Sequence, residues 1–204
     1  VYRISGRLSL QINIKFFLTF YKIVTERVCY LRWDSVYLEI LRNIDAWREN
    51  MDTMTFCVPC LFGLEGLVGD ELRRLELQNV RVEDRRVFFE GDFAAMAKAN
   101  LCCRMGERVM ILLAEFDAHS FEDLFQGVKA VPLERFIPKN GAFPVKGYSL
   151  NSQLHSVPDC QAIVKKAAVT RLGEKYGLGW LPETGETYQL RFSIMKDHVE
   201  LFLD

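Results

Sequence analysis

From Met51 onward, apolar and polar positions switch between a period of two and a helical period, and each switch marks an element. Thr55–Cys60 reads as a strand. Leu64–Leu77 carries Leu64, Leu67, Val68, Leu72 and Leu75 at helical spacing and reads as a helix. Val80–Glu83 and Arg86–Glu90 pair as a hairpin across Asp84-Arg85. Asp92 is a suitable N-cap for a helix running to about Met105, with Phe93, Met96, Ala97 and Leu101 on its apolar side. Arg108–Phe116 is a buried strand. Ser120 caps a helix over Phe121–Ala130, whose first turn holds Glu122 and Asp123, where the helix dipole favours acids. A strand over Phe143–Tyr148, a polar loop over Ser149–Ser156 and a helix over Val157–Tyr176 follow. After a turn over Gly177–Gly185, Tyr188–Met195 and His198–Leu203 close the chain as a hairpin across Lys196-Asp197.

Strands joined by hairpins, with helices between them, predict an α+β fold with layered helices on a mixed sheet, and exclude a doubly wound one. The pattern is absent before residue 50. Val1–Asn50 has eight basic and five acidic residues, no proline, one glycine, and apolar runs without a clean period. Met51 leads directly into a strand, and Trp47–Asn50 can be encoded by codons that contain a ribosome-binding sequence. Residues 1–50 are therefore expected to be upstream read-through or a disordered extension. The alternative is a small helical extension, because Val36–Trp47 can form an amphipathic helix.

Charge changes the picture around the last helix. Net charge is −1, which by itself argues against nucleic acid. From Lys139 to Lys175, however, six basic residues face two acids, whereas Met51–Pro138 has ten basic and fifteen acidic side chains. A basic patch on an acidic body steers an anionic partner to one face. The stretch Phe143–Lys175 gathers Lys146, Ser149, Ser152, His155, Ser156, Lys165, Lys166 and Arg171 around the predicted helix start. Ser156 is a suitable N-cap, and Asp159 three residues on has the spacing of a capping box. Helix N–H groups, hydroxyls and cations together suit an anion, and an RNA phosphate is the candidate. A plainer reading sits beside it: Lys165 and Lys166 project from the solvated side of an amphipathic helix whose apolar side is Ile163, Val164, Ala167, Ala168 and Leu172.

Other chemistry is scarce. Cys57-Val-Pro-Cys60 is a C-x-x-C, but it opens the domain rather than ending a strand of a βαβ unit, and the chain's three histidines are isolated, so zinc lacks ligands. The two cysteines are read as small apolar strand residues, with a thiol redox protein using Cys57/Cys60 as an alternative. Gly63, Gly66 and Gly69 lie in a helical pattern and lack the G-x-G turn of a dinucleotide site. No apolar run approaches the roughly 20 residues of a membrane span. These features predict a cytoplasmic protein with reduced thiols, no membrane association and no bound metal.

Several stretches together resemble a known family. They are Gly63-Leu-Glu with Asp70–Leu75, Phe88–Asp92, Asn100–Arg104 with Arg108-Val109, Asp123–Val128, Asp159–Ala167 and Val199–Asp204. Residues 53–204 thereby resemble the N-terminal half of bacterial class I rRNA guanine-N2 methyltransferases, a ferredoxin-like segment followed by a THUMP domain. The resemblance implies a ferredoxin-like segment over 51–94, a THUMP RNA-binding domain over 95–204, structured ribosomal RNA as partner, and a Rossmann-like S-adenosylmethionine domain after Asp204. It also places Lys146 and Ser152–Arg171 on the RNA-facing side. The chain has no S-adenosylmethionine loop and no N-P-P-Y-type motif, so alone it is expected to bind no cofactor and transfer no methyl group. A structural or protein-interaction domain, with the lysines as a solvated face, is the remaining alternative.

Overall fold

A computed structural model describes residues 53–204 of the chain. The expectations for residues 1–50 lie outside the described residues. Seven strands form one sheet in the order β2-β3-β1-β4-β7-β6-β5. Its strands are β1 (Met54–Pro59), β2 (Gln78–Glu83), β3 (Arg86–Gly91), β4 (Met110–Asp117), β5 (Val145–Leu150), β6 (Leu190–Met195) and β7 (His198–Leu203). The helices are α1 (Glu65–Arg74), α2 (Phe93–Cys102), α3 (Phe121–Ala130) and α4 (Val157–Tyr176), with a short 3-10 turn at Leu133–Arg135.

Every neighbouring pair is antiparallel except β5 and β6, which run parallel because α4 provides the crossover between them. The sheet is therefore mixed and the fold α+β. One narrow seam makes it continuous: β1 meets β4 only at Phe56↔Ile111 and Cys57↔Met110. A β-bulge in β4 between Leu112 and Ala114 shifts the register against β7.

Strand alternation divides the apolar residues into two clusters. Phe56, Val58, Val87, Phe89, Ile111, Phe192, Ile194, Val199 and Leu201 join the buried residues of the helices, including Leu72, Leu124, Val164 and Leu172. Cys57, Phe88, Met110 and Phe202 form a second, smaller cluster from the alternate strand positions.

The hairpin joining β6 to β7 turns on Lys196 (φ 53°) and Asp197 (φ 66°), two successive left-handed residues. That geometry matches the strand twist but normally selects Asn-Gly, so a Lys-Asp pair needs outside support. It has it. The Asp197 N–H donates to the Ser152 hydroxyl at 2.9 Å, and the Asp197 carboxylate accepts from the Gln153 N–H at 2.7 Å. The Asp197 carbonyl also accepts from the Ala118 N–H at 2.8 Å.

Element ends differ from the sequence expectation where backbone geometry intervenes. The first helix stops at Arg74, not Leu77, because Glu76 takes a left-handed φ of 58°. The strand expected over Phe143–Tyr148 runs from Val145 to Leu150, carrying Ser149 out of the loop and into the sheet.

Candidate nucleic-acid interface

The loop between β5 and α4, the N-terminus of α4 and the Lys196-Asp197 turn meet at one end of the sheet. The helix begins where expected, with Pro158 in its first turn, but the predicted capping box is not formed. Ser156 adopts φ −80° and ψ 97° and its side chain makes no cap hydrogen bond. Asp159 still sits in the first turn, where it supplies the negative charge that the dipole favours. At the other end Gly177 takes φ 64°, and the Leu178 N–H donates to the Gly173 carbonyl, a left-handed helix stop.

The hydroxyls expected to face an anion are largely occupied. Ser149 alternates inward along β5, and its Oγ is buried without a hydrogen-bond partner among the described residues. Ser152 donates to the Leu150 carbonyl at 3.2 Å and accepts from the Asp197 N–H, so it braces the turn. His155 is exposed, with Nδ1 3.0 Å from the Gln153 carbonyl, which makes Nδ1 the protonated nitrogen in that contact.

The cations divide sharply. Lys165 was expected on the solvated side of α4. Instead its ammonium donates to both carboxylate oxygens of Glu183 at 2.7 Å and to the Phe143 carbonyl at 3.1 Å, and lies 3.5 Å from the centroid of the Phe143 ring. Arg171 makes a two-pronged pair with Glu134, Nε at 2.9 Å and Nη2 at 2.6 Å. The hydrogen bonds from Arg171 hold the Glu134 carboxyl below the usual carboxylate range, and Arg171 is raised in return. Both residues pin α4 to its surroundings, and their charges are neutralised locally.

Lys146 and Lys166 are exposed and have no carboxylate partner among the described residues; Lys166 lies over the Phe125 ring at 5.7 Å. Lys196, which the sequence reading passed over as a turn residue, is exposed at the end of β6 next to Leu150, whereas Lys146 pairs with Arg191 at the other end of β5. The contact between Ser152 and Asp197 sets its neighbourhood.

The thiols do not form a redox pair. Cys57 belongs to the small cluster and Cys60 to the main core, so their side chains leave opposite faces of the sheet. Burial pushes the Cys57 thiol up to about 12 and raises Cys60 as well, the reverse of an activated thiolate. Among the described residues no group of three or more His, Cys, Asp or Glu side chains is placed to hold a metal ion. No described helix is long and apolar enough to cross a membrane.

Residues 55–110 match the RlmL ferredoxin-like domain model, and residues 118–204 match the THUMP domain model. This chain carries an RlmL-type ferredoxin-like domain followed by a THUMP domain. A Bacillus subtilis (strain 168) protein named "Putative RNA methyltransferase YpsC" is 41% identical over 156 residues, covering 76% of this chain and 40% of its own. A Marinobacter nauticus protein named "Ribosomal RNA large subunit methyltransferase K/L" is 32% identical over 106 residues, covering 52% of this chain and 15% of its own. A solved Listeria monocytogenes structure, described as a predicted N6-adenine-specific DNA methylase, has a TM-score of 0.74 at 45% identity and covers 78% of this chain and 42% of that one. A further structure, of SMU.472 complexed with SAH and named a "putative methyltransferase", has a TM-score of 0.71 at 37% identity, covering 76% of this chain and 42% of that one. The chain thus spans about two-fifths of the Bacillus subtilis and Listeria monocytogenes relatives and 15% of the Marinobacter nauticus one.

An ion pair joins the ferredoxin-like match to the THUMP match, and a second set of contacts, within the ferredoxin-like match, holds the segment after α2. Arg86 of β3 pairs with Glu200 of β7, the latter side chain only 7% exposed, and also with Glu83 at 3.0 Å. Glu71 of α1 accepts from the N–H groups of Arg104 and Met105 at 2.9 and 3.2 Å. Burial pushes Glu71 up, but these donors together bring it below its ordinary value.

Proposed function

We propose that this chain is the RNA-binding portion of a 23S rRNA guanine-N2 methyltransferase, delivering structured ribosomal RNA to an S-adenosylmethionine-dependent catalytic portion. On this reading the ferredoxin-like segment occupies 51–94, the THUMP domain 95–204, and residues 1–50 are an extension. The observation that carries it is that Lys146, Lys166 and Lys196, all inside the THUMP match, are exposed and have no carboxylate partner among the described residues. Cations without partners are what phosphate contact requires. Of the residues proposed from sequence, Lys146, Lys166 and His155 keep accessible side chains suited to an RNA backbone. Ser152 and Ser156 lie with His155 in the β5–α4 loop. Ser149, Lys165 and Arg171 serve the fold.

The triplet Gly63, Gly66 and Gly69 does not form a cofactor-binding turn. Gly66 and Gly69 lie within α1, and a Cβ at Gly69 would meet Val82 Cγ2 at 2.7 Å, so this is a packing contact and not a cofactor turn. Methyl transfer accordingly belongs to the catalytic portion, which supplies the cofactor site.

The names of the relatives divide between RNA and DNA, and binding separates the two. The 204-residue chain is titrated into an RNA stem-loop and into a DNA duplex of the same sequence at equal salt. A-form RNA is read by shape and 2′-hydroxyls across its minor groove. Preference for the RNA by about tenfold or more supports the proposal. Equal or stronger binding of the DNA duplex contradicts it.

A further inference from the structure

Five large apolar side chains stand exposed at the end of the sheet where β1 and β7 finish. Leu61 is 66% exposed, Phe62 75%, Leu67 51%, Leu101 63% and Met105 44%. The backbone brings them to the same end. Leu61 and Phe62 follow β1, and the Pro59 carbonyl at the close of β1 accepts from the Glu107 N–H at 2.9 Å. Leu67 lies one helical turn before Glu71, whose carboxylate holds the Arg104 and Met105 N–H groups. Arg85 stacks its guanidinium 5.9 Å from the Phe62 ring centroid, adding a charged border. Exposed apolar residues gathered in this way, with a polar rim, mark an interface.

Asp204 is anchored at the same end of the sheet. The Arg108 guanidinium, three residues beyond Met105, holds the Asp204 carboxylate at 2.9 Å, and Arg191 and Gln189 hold it from the other side at 2.7 and 3.0 Å. In the longer relatives, the chain that follows the position of Asp204 therefore leaves this same end of the sheet, next to Arg108. The RNA-facing loop and the Lys196-Asp197 turn lie at the opposite end of β7, so an occupant here leaves them open. The relatives supply such an occupant: this chain corresponds to their N-terminal part and covers 40% and 42% of two of them.

We infer that this patch is the seat of the catalytic portion in the full-length protein, which docks an apolar surface onto Phe62, Leu67 and Met105. The inference rests on the reading under Proposed function, because it needs that portion to exist. Docked there, the catalytic portion is held at a fixed reach from Lys146, Lys166 and Lys196 through a rigid sheet rather than a flexible tether.

The test compares hydrogen exchange in the full-length protein and in the 204-residue chain. Backbone amides of 61–67 and 101–107 exchange at least about tenfold more slowly in the longer protein, a local protection that docking provides. Phe62→Asp with Met105→Asp in the full-length protein restores fast exchange at 64–67 and exposes the catalytic portion to quicker proteolysis. The same pair of substitutions in the 204-residue chain leaves its RNA affinity within about twofold, which shows that the variant is folded. Equal exchange in the two proteins overturns the inference. So does protection in the 204-residue chain that disappears on dilution, which assigns the patch to a second copy. Protection of the patch together with absent RNA binding would sink the functional reading and leave the docking seat standing.

Discussion

Lys165 and Glu183, eighteen residues apart in sequence, meet with the ammonium 2.7 Å from both carboxylate oxygens. The pair folds the loop after α4 back along the helix and removes from the surface a cation that the sequence places on it. Lys165→Ala is therefore expected to leave RNA affinity within about twofold while lowering stability slightly, since partly exposed pairs contribute about 0–1 kcal/mol. Lys166→Ala, one residue on, weakens RNA binding with unchanged stability. Parallel filter-binding and thermal melts of the two variants check the contrast, and equal loss of affinity in both would refute it.

The Arg171–Glu134 pair gives a pH signature. Arg171 lowers the folded-state pKa of Glu134, so its contribution is complete above the unfolded carboxylate value and is lost as pH falls through the lower folded value. Melting temperatures of the chain and of Glu134→Gln should differ most above about pH 5 and converge towards about pH 3. A difference that grows in acid would contradict the assignment.

Gly147 sits where β5 crosses Phe192: a Cβ there would lie 2.4 Å from the Phe192 carbonyl oxygen and 2.5 Å from its ring. Gly147→Ala is expected to cost about 1–3 kcal/mol, or roughly 3–10 °C in Tm, because backbone must move. Gly66→Ala is the control. It lies in α1 with nothing within 4 Å of the new Cβ, and should stabilise the chain by up to about 1 kcal/mol. Calorimetric melts of both variants check the opposite signs.

Much of the fold was legible because local rules decided it. Asp92 accepts from the Ala95 N–H at 2.8 Å, and Ser120 forms a full capping box with Asp123, as their spacing in sequence indicates. The β6–β7 hairpin falls on Lys196-Asp197, between two clean alternations. The reading of Cys57 as a small apolar strand residue likewise holds, whereas β1 ends at Pro59 and Cys60 is a buried residue just past it. The site was less legible because its charges are settled by partners far along the chain. Glu134 lies 37 residues from Arg171, and Ser152 45 residues from Asp197, separations that no spacing rule spans. Ser149 was misplaced for a smaller reason: β5 continues two residues past Tyr148, and the pleat then turns its hydroxyl inward. The narrow β1–β4 seam that unites the two domains in one sheet leaves no trace in the hydrophobic pattern, because it involves only two residue pairs.

The salt dependence of RNA binding tests the central claim most directly. Affinity of the 204-residue chain for an RNA stem-loop is measured from low to physiological salt, alongside the variant Lys146→Glu, Lys166→Glu, Lys196→Glu. Phosphate contacts from three lysines predict a slope of log affinity on log salt of about −2 to −3. The variant should bind at least about tenfold more weakly at low salt, with its slope reduced towards zero and its melting temperature unchanged. An unchanged slope and affinity in the triple variant would show that these lysines are only a solvated face, and would contradict the account.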